Sequence, residues 1–254
     1  MRSIWKNRSL HVTLMSVLIG GMLSAVSSFA ADAGAVKFKV RIDNISKGNV
    51  LKLSAGGEAP FAVSPGVWLV HIDPAPVFKN GEKDRGQGLE AQAEDGNLAV
   101  LAKSLAKQPG VKARGVFNTP VGVQKPGPIG PGGAYEFEVT AAPGTRLTFV
   151  AMFGQSNALF YAPKEEGIAL FDQHNKPIQG DITNTLVLWD AGTEVHQEPG
   201  VGPDQAPRQK APNTGAAENG VVRPVQDQFT YPNTLDVLRV TITPEKSAKK
   251  ISQK

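Results

Sequence analysis

Apolar and polar residues alternate along Val36-Lys37-Phe38-Lys39-Val40-Arg41-Ile42, and again along Tyr135-Glu136-Phe137-Glu138-Val139-Thr140. A period of two puts every second side chain on one face, so each segment predicts a strand with one buried and one charged face. Leu147 to Phe153 and Leu186 to Trp189 are unbroken apolar runs instead, the pattern of strands covered on both sides. Val67 to Ile72 and Leu235 to Ile242 are further strand candidates. One region breaks the pattern. Gly88 to Gly96 reads as a short helix closed by glycine, and Asn97 is placed to cap a second helix from Leu98 to Lys107, ending before Pro109. Leu98, Leu101 and Leu105 share an apolar face of that helix. The expectation is an all-β chain, an antiparallel β-sandwich with a short helical crossover.

Two long loops interrupt this frame. Lys125 to Gly133 is a rigid Pro/Gly loop leading into the Tyr135 strand, too short for a triple helix. Glu198 to Val222 is polar and rich in Pro, Gly, Asn and Gln, which predicts a surface loop. Neither marks a domain boundary, and no internal repeat is present.

The termini change how the charge is read. Residues 1–30 have the form of a secretory signal peptide: Arg2, Lys6 and Arg8, an apolar Val12 to Val26, then Ser28-Phe29-Ala30 before the cut. The expected layout is a leader over 1–30, one domain over 31–245 and a basic disordered tail over 246–254. Removing the three leader charges from 27 Lys and Arg leaves 24 against 23 Asp and Glu. The basic balance therefore carries no suggestion of a nucleic-acid partner, and no membrane span is expected after cleavage. The expected location is the periplasm or the extracellular medium. An exported chain without cysteine must hold together by its core alone. A chain of this length buries roughly 70% of its unfolded surface, which is enough.

The chemistry is sparse. His71, His174 and His196 show no short metal-ligand spacing, and without cysteine a zinc site has little support. His196 lies six residues from Asp190, but no serine sits on a nucleophile elbow, and no phosphate-cradling glycine loop exists. No enzyme is expected. Trp68 and Trp189 sit in apolar runs and read as core. The sharpest feature is Leu186-Val-Leu-Trp-Asp-Ala-Gly-Thr-Glu194, where an apolar strand ends on Asp190 and Glu194 across a turn of small residues. Paired carboxylates on such a turn suit a hard, oxygen-seeking cation; a solvated acidic turn is the plainer alternative. Asn157 at another strand end and Glu138 on an outward strand position offer further oxygens. Spacing alone does not say whether these converge.

From Lys37 to Thr243 the chain resembles the spondin amino-terminal domain family. Trp189-Asp-Ala-Gly-Thr-Glu194 is similar to the family's Asp-Ala-Gly-Thr-Asp turn. Gly88-Leu-Glu with Ala93-Glu-Asp-Gly-Asn97, Glu136 to Val139, Leu147 to Phe153 and Asn157 to Phe160 match further family segments. Gly115 to Pro120 and Glu198 to Pro203 resemble its bacterial members. The resemblance implies an antiparallel β-sandwich like calcium-dependent membrane-binding domains, with Ca2+ held by Glu138, Asn157, Asp190 and Glu194. Asn157 and Glu194 stand where the family commonly has aspartate, so the implied site carries less charge and binds more weakly. The implied role is a calcium-binding adhesion or recognition module engaging a surface protein or a glycan. The alternative is a structural envelope protein whose metal only stabilises the fold.

Overall fold

A computed structural model describes residues 34–72 and 74–245; the leader and the lysine-rich tail lie outside the described residues. The chain opens with β1 (Val36–Asn44), the short hairpin β2 (Asn49–Lys52) and β3 (Glu58–Pro60), and then β4 (Val63–His71). The helical interruption follows as α1 (Leu89–Asp95) and α2 (Ala99–Leu105). Next come β5 (Val111–Phe117), β6 (Ala134–Ala141), β7 (Arg146–Phe153), β8 (Leu159–Pro163), β9 (Ile168–Ala169) and β10 (Gly180–Asp181). The chain closes with β11 (Leu186–Asp190), β12 (Arg223–Pro224), α3 (Thr234–Val237) and β13 (Leu238–Pro244).

The strands form two packed antiparallel sheets. One has four strands in the order β10-β13-β1-β6, and the other has seven, β12-β11-β8-β7-β4-β5 with β9 beside β7. Phe38, Val40 and Ile42 of β1 meet Phe149, Ala151 and Phe153 of β7 between the sheets, in a core with no exposed member. The other face of the seven-stranded sheet is covered as well: Val67, Leu69, Val150, Phe160 and Trp189 pack under Leu89, Ala93, Leu101 and Leu105 of the two helices. This double cover is why Leu147 to Phe153 and Leu186 to Trp189 are continuous apolar runs. The four-stranded sheet keeps a wet face, where Lys37 pairs with Glu138 and Lys39 with Glu136 across β1 and β6. That is the alternation visible in both segments.

The helices follow the capping signals. Gly96 closes α1 at φ 65°, and the Asn97 side chain accepts from the Ala99 N–H at 3.1 Å at the start of α2. Gly88 is needed where α1 meets α2, since a Cβ there would lie 2.5 Å from the Leu101 backbone nitrogen. Trp189 is buried, and the partly buried Trp68 stacks on Phe137 at 5.9 Å. The last strand begins later than the apolar pattern suggests. Asn233 accepts from the Leu235 N–H and starts a helical turn, α3, so extended pairing begins at Leu238.

Candidate metal centre

The site is built at one end of the seven-stranded sheet, where β11 runs out. Asp190 is the last strand residue, and the chain turns through Ala191 and Gly192 at φ 70°. The segment before β12 folds back along this turn: the N–H groups of Val195, Glu218 and Gly220 donate to Ala216 O, Thr193 O and Gly192 O at 2.7–2.8 Å. Only glycine fits at 192, because a Cβ would stand 2.5 Å from Val221 O. The long polar loop therefore lies over the acidic turn and supplies part of its surroundings.

On one side of the turn stands Asp190, fully buried. Its Oδ1 accepts from the Gly192 N–H at 2.7 Å and faces His196 Nε2 at 3.0 Å. Its Oδ2 lies 2.6 Å from Arg223 Nη2, which is also 2.6 Å from Glu218 Oε1. His196 Nδ1 meets Asp227 Oδ2 at 2.6 Å, and the Tyr231 hydroxyl donates to the same oxygen at 2.6 Å. Burial alone pushes the imidazole pKa down, but its hydrogen bonds and charge attraction to Asp190 and Asp227 outweigh this and raise it. Nδ1 is hydrogen-bonded to Asp227, while Nε2 stands within ion-pair reach of Asp190 without forming a hydrogen bond. Asp190, His196 and Glu218 each offer a ligand atom within 4.8 Å of the others, so this group could hold a metal ion. A guanidinium and an imidazole already meet its negative charge.

The other side of the turn is built differently. Glu94, near the end of α1, is 1% exposed, and neither carboxylate oxygen has a hydrogen-bond partner. Gln92 anchors this helix by donating to Ser64 Oγ at 3.1 Å and Pro65 O at 2.9 Å, so the position of Glu94 is fixed from within the fold. Burial pushes its pKa up to about 8; the Thr193 hydroxyl opposes this slightly, while the charges of Glu194, Glu90 and Asp95 add to it. Thr193 Oγ1 faces the carboxylate without a hydrogen bond of normal geometry and is itself unpartnered. Glu194 is 2% exposed, with Oε1 accepting from the Gly215 N–H at 3.0 Å and Oε2 from Asn157 Nδ2 at 3.2 Å. Burial raises its pKa too, although those two bonds work against it.

The four residues implied by the family resemblance are thus distributed unevenly. Asn157 and Glu194 are in contact, one turn away from Asp190. Asn157 presents its amide nitrogen to Glu194 and Val195 O, while its carbonyl oxygen accepts from the Gln197 N–H at 3.1 Å. Glu138 sits elsewhere, on the wet face of the four-stranded sheet, with its carboxylate 2.7 Å from Lys37 Nζ and half exposed. Lys37 holds the Glu138 carboxyl below its usual pKa. Five residues absent from the sequence-based set take part: Glu94, His196, Glu218, Arg223 and Asp227. His196 carried a weak signal in its spacing from Asp190. Glu218 and Asp227 sit in loops, Arg223 on the two-residue strand β12 and Glu94 near the end of a short helix, where no local pattern marks them. Neither a family model nor a curated protein matches this chain.

Proposed function

We propose that this protein is an exported, non-catalytic recognition module of the spondin amino-terminal type, whose loop end is organised by calcium. The observation that carries the reading is the convergence of three chain segments on buried carboxylates: the 155–157 turn through Asn157, the 190–194 turn through Asp190 and Glu194, and the 214–223 return through Gly215 and Glu218. Loops tied in this way present a fixed surface, and calcium accepts the carboxylate and carbonyl oxygens available there. Both nitrogens of His196 face carboxylates, which leaves no free base beside Asp190 and favours binding over hydrolysis. The partner is a surface protein or a glycan in the periplasm or the medium.

Thermal unfolding of the purified protein with calcium and with chelator tests this reading. An ion that binds only the folded state raises the midpoint, by about 2.7 kcal/mol of stability at a hundredfold excess over Kd. Identical midpoints at millimolar calcium would remove the ion from the account. A second reading, a structural envelope protein, is favoured by Arg223 and His196, which order the Asp190 side without any metal. Calcium-dependent retention of the protein on cell-surface material or glycan arrays separates the two. A rise in midpoint with no retention supports the structural role.

A further inference from the structure

Within the described residues, the buried carboxylate with no partner lies outside the Asp190 group. A buried ionisable group without a hydrogen bond is rare, because leaving water costs free energy that nothing returns. Glu94 has two such oxygens, and the hydroxyl facing it, Thr193 Oγ1, is a third unpartnered atom. Besides that hydroxyl, the groups acting most strongly on its charge are the carboxylates of Glu194, Glu90 and Asp95. Two features make this more than an acidic cluster. Gln92 ties the helix that carries Glu94 to Ser64 and Pro65, and Glu194 is held by the Gly215 N–H and the Asn157 amide.

We propose that Glu94 and Glu194, with the Thr193 hydroxyl beside them, form a cation site of their own, distinct from the Asp190–His196–Glu218 group, and that its occupant is a divalent, oxygen-seeking ion. The donor set is all oxygen, which suits calcium over the softer transition metals. Each carboxylate oxygen of Glu94 has open lone pairs, and each of Glu194 keeps one beyond its present bond. Three side chains fall short of the six to eight oxygens calcium takes, so water completes the shell and affinity sits at the weak end, on the order of 10⁻⁴–10⁻³ M. Thr193 also lines an open cleft of about 310 Å³ bordered by Lys83, Asp84 and Glu90. The proposal rests on the loop end being a cation site and goes further by moving its centre to a residue of the helical crossover.

The test is a calcium chloride titration of the full chain, followed by the unfolding midpoint, in wild type, Glu94→Gln, Glu194→Gln and Glu218→Gln. Wild type and Glu218→Gln should rise by roughly 3–5 °C at about tenfold excess over Kd. Glu94→Gln and Glu194→Gln should stay flat, while Glu94→Gln remains at least as stable as wild type in chelator. A wild-type response in Glu94→Gln, with loss in Glu218→Gln, overturns this inference and leaves a calcium site at Asp190. No response in any of the four proteins overturns this inference together with the calcium reading on which it rests.

Discussion

The two sides of the Gly192 turn hold similar numbers of carboxylates under opposite electrostatic terms. Asp190 and Glu218 share the Arg223 guanidinium, and His196 links Asp190 to Asp227, so every buried charge there has a counter-charge within 3.0 Å. Glu94 and Glu194 are buried as deeply, yet the donors they have are a backbone N–H and an amide, both on Glu194. The ligand atoms of Asp190, His196 and Glu218 lie close together, with Arg223 drawing the two carboxylates in. The closest cluster is therefore the one least in need of a metal.

Removing the internal cation is the strongest way to break this contrast. Arg223→Met removes the guanidinium from Asp190 Oδ2 and from Glu218, leaving His196 as the remaining counter-charge of Asp190, and should destabilise the protein by roughly 3 kcal/mol in denaturant titration. It should also create a calcium response on the Asp190 side, visible as a larger midpoint shift than in wild type. A neutral outcome would mean that Asp190 is held by Gly192 and His196 alone.

Glu94→Gln probes the other side through pH. The folded pKa of Glu94 is about 8 against 4.5 unfolded, so the unfolded chain gives up its proton first. Stability from this group is full below pH 4.5 and is lost as pH rises toward 8. At pH 7 without calcium, Glu94→Gln should gain roughly 2 kcal/mol after discounting for residual solvation. His196 has the same sign: its folded pKa is raised above 6.5, so its contribution is full below 6.5 and falls as pH climbs through the folded value. The Gln variant should lose the part of the decline that Glu94 carries between pH 4.5 and 8, keeping the shallower declines due to Glu194 and His196. A slope unchanged from wild type would show that Glu94 reaches solvent.

Asn157→Asp sharpens the comparison with a smaller change. The amide now donates to Glu194, and an aspartate would set two carboxylates face to face. The expected cost without calcium is about 1 kcal/mol, with a larger rise in midpoint when calcium is added. The smallest effect belongs to Glu138→Gln. Its carboxylate is a surface partner of Lys37 on the far sheet, so neither the melting midpoint nor the calcium response should move. A loss of calcium response there would restore Glu138 to the site.

These variants also mark where the sequence was readable. The strand faces at Val36 to Ile42 and Tyr135 to Thr140 were visible because alternation is local and each face meets one environment. The acidic turn at Asp190 was visible because an apolar run ending on two carboxylates is a local event. Glu94 was not, since a glutamate four residues after Glu90 on a short helix reads as solvated, and the Thr193–Glu194 turn that acts on it comes from a hundred residues away. Arg223 and Glu218 were hidden for the same reason: they reach Asp190 because a long polar loop doubles back on the turn. Glu138 shows the reverse case, since an outward carboxylate on a strand looks available in the sequence whatever faces it, and here Lys37 does.

Anomalous diffraction from crystals soaked in terbium, an oxygen-seeking stand-in for calcium, places the ion directly. A peak within about 2.3–2.6 Å of carboxylate oxygens of both Glu94 and Glu194, with Arg223 still on Asp190, is the predicted result. A peak on Asp190 and Glu218 with Arg223 displaced would contradict it, as would crystals that take up no ion at the turn.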